Sequence, residues 1–184
     1  MKRFLYFAML LPLMIACVGN GTTDENGSSD SDSVAPLCDA AVSVQGIVGE
    51  GTTMHELELL LPDDSIAYFS YDNDALGGLA AGDEVVVSWM KSNECQVYIS
   101  NITSLSHLWQ IVNAEGRQCL QLDKNGGATT YGMDSTYDHW ESSFGLLRLY
   151  NNNVVSQWNI QLLTSDSLII DDGGDVAWTM KRIN

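Results

Sequence analysis

Trp158-Asn159-Ile160-Gln161-Leu162, Ser167-Leu168-Ile169-Ile170 and Val176-Ala177-Trp178-Thr179-Met180-Lys181-Arg182 decide the fold. In each, apolar residues recur at every second position, the period of a strand with one face buried. The pattern reaches back to Trp109 and predicts strands at 108–112, 119–122, 128–131, 137–142, 146–150, 154–163, 167–171 and 176–182. Turn chemistry separates several of them: Asp123-Lys124-Asn125-Gly126-Gly127, Asn151-Asn152-Asn153 and Asp171-Asp172-Gly173-Gly174. Short strands at such spacing indicate an all-β unit, and eight can close around a small interior.

Upstream, strands are expected at 41–48, 54–61, 65–71, 84–89 and 94–100. In the second run Leu57, Leu59 and Leu61 share one face, and Glu56 and Glu58 the other. Pro62-Asp63-Asp64 makes the turn of a hairpin. The connection 72–83 carries Gly77, Gly78 and Gly82 and is expected to hold a short helical turn.

The chain begins with Lys2 and Arg3, an apolar run from Phe4 to Ala16, and then a polar tract. This is the layout of a secretory signal, with a run too short to span a bilayer. Residues 17–36 are mostly Gly, Asn, Ser, Thr and acidic side chains, which cannot bury enough surface to offset their ordering entropy. They read as a flexible acidic tether. The formal net charge is -16, and no Lys or Arg occurs between Cys17 and Met90. Such a surface repels phosphate backbones and excludes nucleic acid as a partner.

Three resemblances organise these observations. Leu13-Met14-Ile15-Ala16-Cys17 resembles the lipobox of bacterial lipoproteins, with Met14 where Leu is usual. It implies removal of residues 1–16, lipidation of Cys17, and attachment to the cell envelope by acyl chains, at the periplasmic face of an outer membrane or the cell surface. Residues 37–103, with their longest connection between third and fourth strands, resemble an OB-type barrel of five strands. Residues 104–184 resemble the lipocalin-like barrels of small Gram-negative lipoproteins. That likeness rests on Leu105-Ser106-His107-Leu108-Trp109 at the opening and Trp178-x-Met180-x-Arg182 at the close, with His107 where a Gly is usual. It implies that Arg182 packs over Trp109 to close one barrel end, a structural role for both. The expected architecture is two small antiparallel β-barrels.

In an OB-like barrel the start of the first strand lies near the start of the fifth. Cys38 and Cys95 are therefore expected to form a disulfide, which leaves Cys119 as a buried thiol. The chain carries no CxxC and no GxSxG, HExxH, P-loop or GxGxxG pattern. No catalytic residue, metal or cofactor is expected. His139-Trp140-Glu141 places a His and a Glu on one strand face, a weak signal for chemistry. Asp171-Asp172-Gly173-Gly174-Asp175 has calcium-type oxygens, but a hairpin turn explains it more simply. Trp109, Trp158 and Trp178 share the alternating face with Trp140. Such rings either fill a small barrel or line a lumen. For the second case Trp140, Trp158, Trp178 and Tyr131 are the expected ligand residues.

The resemblance implies a non-enzymatic, lipid-anchored protein that binds a small hydrophobic molecule or a glycan, or acts as an accessory module. The alternatives are an interaction module with filled barrels and, behind it, an enzyme with an unrecognised site.

Overall fold

The alternating segments form strands, and the strands close into two barrels. The computed structural model describes residues 42–72, 75–89, 96–112, 114, 116–152 and 154–183. The expected signal, the Cys17 lipid site, the tether and the Cys38–Cys95 disulfide lie outside the described residues.

The first sheet contains Val42–Val48 (β1), Glu56–Leu60 (β2), Ile66–Ser70 (β3), Ala75–Leu76 (β4), Glu84–Trp89 (β5) and Val97–Asn101 (β6). Its order is β3-β2-β1-β5-β6-β4. The five expected strands are β1, β2, β3, β5 and β6. The two-residue β4 stands where a helical turn was expected, and it pairs parallel to β6 through Ala75↔Ile99 and Leu76↔Ser100. Gly77, Gly78 and Gly82 follow with positive φ, a backbone path that no helix takes. With β4 pairing to β6 at one end of the order and β3 at the other, the strands follow the OB-like order. Val48, Leu57, Leu59, Phe69, Val85, Val87, Trp89 and Ile99 fill its interior. Leu61 packs against this core as the alternation requires, and Glu56 and Glu58 face outward.

The second sheet contains Leu108–Ile111 (β7), Gln118–Leu122 (β8), Ala128–Tyr131 (β9), His139–Ser143 (β10), Leu146–Asn151 (β11), Val154–Leu163 (β12), Ser167–Asp171 (β13) and Ala177–Ile183 (β14). Each strand pairs antiparallel with its sequence neighbour, except that β9 and β10 barely touch. The last strand returns to the first through Met180↔Ile111 and Arg182↔Trp109. A Gly127↔His139 bridge joins β9 to β10. Two hydrogen bonds flank it: Ala128 N to Asp138 O, 3.1 Å, and Trp140 N to Gly126 O, 2.7 Å. The result is an eight-stranded antiparallel barrel, nearly closed.

One detail departs from strict alternation. The register between β12 and β13 shifts between Ile160 and Leu162. The extra residue flips the side chains that follow. Leu163 enters the core at 7% exposure, whereas Leu162, expected inward, stands 41% exposed.

A single-turn helix, α1 (Ile102–Leu105), joins the barrels. Four residues are too few to show a helical period in sequence. Asn101 caps it by accepting from Ser104 N at 2.8 Å. Ile102 and Leu105 are buried in the core of the second barrel. Leu76 and Val86 of the first barrel also pack against that core. Tyr98 meets Phe144 edge to face, with centroids 6.0 Å apart. Phe144 and Gly145 form the β10–β11 hairpin turn, both with positive φ. Such a turn favours Asn or Asp at the first position. The contact with Tyr98 offers a reason for a phenylalanine in so uncommon a conformation.

Candidate functional site

The interior of the second barrel is occupied by its own side chains. Trp109, Leu120, Leu122, Leu147, Leu149, Leu168, Ile170 and Met180 are fully buried. Trp158 is 6% exposed and stacks on half-buried Trp178, with centroids 4.2 Å apart. The Trp158 indole N–H is buried without a hydrogen-bond partner. Trp140 is 3% exposed, and its indole N–H donates to Asp123 O at 2.9 Å. Tyr131 points the other way. It lies on the outer wall, beside Leu108, Arg117 and buried Cys119, around a hollow of about 270 Å³. The four aromatics expected to share a ligand are therefore not one site. Cys119 is a free thiol.

Trp109 and Arg182 are directly opposed on β7 and β14. Trp109 is sealed inside, and its indole N–H donates to Leu105 O at 2.8 Å. The Arg182 guanidinium donates to Ser165 O at 3.3 Å. The His107 ring meets Trp109 edge to face at 6.0 Å. Burial, then the charges of Arg182 and Lys124, hold the His107 pKa below its ordinary value.

A hollow with convergent polar groups lies between the barrels, a cleft of about 530 Å³. Val86, Ile102 and Trp140 give it an apolar floor. One wall comes from β1, where Ser43 and Gln45 point outward because Val44 and Val48 face the core. Gln45 donates to Glu84 at 2.6 Å, and Ser43 and Ser88 share a hydrogen bond of 2.8 Å. The other wall is the β8–β9 turn with β10: Lys124, Asn125, His139, Glu141 and Ser143.

Local chemistry fixes that wall. Asp123 N bonds to Gly127 O at 2.8 Å and Gly126 N to Asp123 O at 2.9 Å, which closes the turn. Gly126 has φ +84, and a Cβ there would lie 2.7 Å from the His139 ring. Only glycine brings the turn so close to β10. His139 lies beside the Tyr150 ring, centroids 5.5 Å apart. Glu141 accepts from the Tyr150 hydroxyl at 2.5 Å and sits 3.6 Å from Arg148. That hydrogen bond raises the Tyr150 pKa. His139 and Glu141 thus share a face, as the sequence suggested, but each is engaged with Tyr150.

In the Asp171–Asp175 loop, two carboxylates are held by local hydrogen bonds. Asp171 accepts from Asn159 and from Gly173 N, both at 2.9 Å, and Asp172 accepts from Gly174 N at 2.9 Å. The bond from Asn159 is the main cause of a lowered Asp171 pKa. Among the described residues no group of His, Cys, Asp and Glu is placed to hold a metal ion.

No pattern in the sequence announced the cleft, because its walls come from strands far apart in the chain. No family model, curated protein or solved structure matches this chain.

Proposed function

We propose that this is a non-enzymatic, lipid-anchored protein of the cell envelope that binds a small polar ligand, of the glycan type, in the cleft between its barrels. One observation carries the ligand reading: the cleft has the volume of a small-molecule site, an apolar floor, and polar side chains from both barrels. Hydroxyls of Ser43 and Ser143, amides of Gln45 and Asn125, and the Lys124 ammonium offer donors and acceptors over a short span. A hydroxyl-rich ligand uses such a mixture. A purely hydrophobic one would need the barrel interior, which aromatic and aliphatic side chains fill. The filled interior also favours the second reading, an accessory module that acts through its outer surface.

The anchor rests on Leu13 to Cys17 and on the acidic tether that follows. Two acyl chains would hold it firmly through buried methylenes, at about 0.8 kcal/mol each. No described helix is long and apolar enough to cross a membrane.

Binding is tested by titrating neutral oligosaccharides and, in parallel, a long-chain fatty acid into the protein, followed by calorimetry. Oligosaccharide binding weakened about tenfold in both Gln45→Ala and Lys124→Ala supports the cleft, since about 1.4 kcal/mol per hydrogen bond is the scale involved. Fatty acid binding with no effect of either substitution refutes it. Labelling with radioactive palmitate tests the anchor: Cys17→Ser should abolish incorporation. Mobility on non-reducing gels, against Cys38→Ser and Cys95→Ser, tests the disulfide.

A further inference from the structure

Among the described residues, the first barrel leaves one strand without a partner along one side. β3 pairs with β2 alone over Ile66–Ser70. Leu61 N bonds to Ser65 O and Tyr71 N to His55 O, so the odd-numbered residues turn their backbone groups toward β2. In an antiparallel pair the orientation alternates. Ile66, Tyr68 and Ser70 therefore turn theirs to the open side. Natural edges are usually blunted by lysine, proline or a bulge. The segment Ile66-Ala67-Tyr68-Phe69-Ser70 has no charge, no proline and no register shift.

Next to that edge runs an exposed apolar row. Ile47 opposes Leu60, and Leu60 opposes Ile66. Their exposures are 38%, 39% and 51%, rising toward the edge, and Tyr68 beside them is 38% exposed. The rim is acidic: Glu84 continues the row beyond Ile47, Glu58 opposes Tyr68, and Glu56 opposes Ser70. No Lys or Arg occurs between Cys17 and Met90 to neutralise it.

The geometry points to this edge as a docking site for an extended, basic segment of a partner protein, which adds to β3 as a further strand. Backbone hydrogen bonds at Ile66, Tyr68 and Ser70 give the pairing, alternate apolar side chains meet Ile47, Leu60 and Ile66, and basic side chains meet the acidic rim. A second copy fits poorly, since each copy brings a net charge of -16. An anionic membrane is disfavoured for the same reason. The row shares the outward face of β1 with the cleft and meets it at Glu84, which accepts from Gln45, but the unpaired backbone lies two strands away on β3.

The test titrates the full chain, in nonionic detergent, with an alternating lysine–valine peptide and follows backbone amide shifts. Expected are perturbations centred on Ile66, Tyr68 and Ser70, little response to a glutamate–valine peptide, and affinity at least about tenfold lower in Tyr68→Pro. Proline is tolerated where the N–H faces away from the ladder, so this variant should keep the fold; circular dichroism and the thermal midpoint check that. Ile66→Lys is a second variant, which should weaken the peptide by charge without breaking a strand. Shifts spread over all acidic surfaces, equal binding by both folded variants, or a concentration-dependent dimer lost in Tyr68→Pro would each overturn the proposal.

Discussion

At the scale of single residues, Asn101 does the most with the fewest atoms. It is fully buried. Its amide N–H groups donate to Gly78 O and to the Asp83 carboxylate, both at 2.8 Å, while its oxygen caps α1. It ties the loop after β4 to the helix that enters the second barrel. Asn101→Ala removes a cap and strands buried partners, so a loss of about 2–3 kcal/mol is expected in urea unfolding. Gly126→Ala should cost about 1–2 kcal/mol from its left-handed backbone alone, and more because the His139 ring must move. His107 gives a pH signature. Its pKa in the fold is lowered from the ordinary 6.5, chiefly by burial. Below 6.5 the unfolded chain takes up a proton that the folded chain refuses. Unfolding then binds protons, so stability rises with pH across that window and is complete above it. The thermal midpoint should fall between about pH 7 and pH 5.5, and fall less in His107→Gln. An equal fall in both proteins would assign the effect to other groups.

At the scale of elements, most strands were legible because one face is wet and one dry. Leu57 and Leu59 alternate with Glu56 and Glu58, while Val85 and Val87, and Leu168 and Ile170, keep the two-residue spacing across an apolar Val86 and Ile169; all six are buried. What was not legible has a common cause: it depends on partners remote in sequence. The bulge after Ile160 appears only against β13. It yields a clean contrast. Leu163→Ala should cost about 2–5 kcal/mol, whereas Leu162→Ser should change stability by about 0.5 kcal/mol or less, both read by denaturant midpoints. The reverse order would mean that the alternation runs unbroken. α1 and β4 are too short to carry a period, although Asn101 before Ile102 is a cap signal that can be seen in sequence. The tryptophans were legible as one alternating set, but their grouping as a ligand site was not; three are core, and Trp178 stacks on one of them. The cleft was invisible because Gln45 and Lys124 meet only when two barrels do.

At the scale of the whole molecule, charge is the unusual quantity. A net charge of -16 on 184 residues means self-repulsion in the folded state. Among the described residues Arg148–Glu141 is the single ion pair recorded between side chains. Raising ionic strength from about 0.01 M to about 0.15 M shortens the screening length from about 30 Å to about 8 Å. The thermal midpoint should rise with salt, contrary to a protein held by surface ion pairs, and calorimetry at both ionic strengths checks it. The two barrels share one compact unit, Ser33–Asn184, through α1 and the Tyr98–Phe144 contact. Ligand in the cleft would bridge them.

The seam between β7 and β14 carries a consequence for biosynthesis. β7 leaves the ribosome well before its partner, Ala177–Ile183, is made. Until then Trp109 and Ile111 have no closing wall, and a half-built sheet exposes its apolar lining. A chain threaded across a membrane while unfolded meets the same problem on the far side. The strands of the OB-like barrel are complete well before that moment.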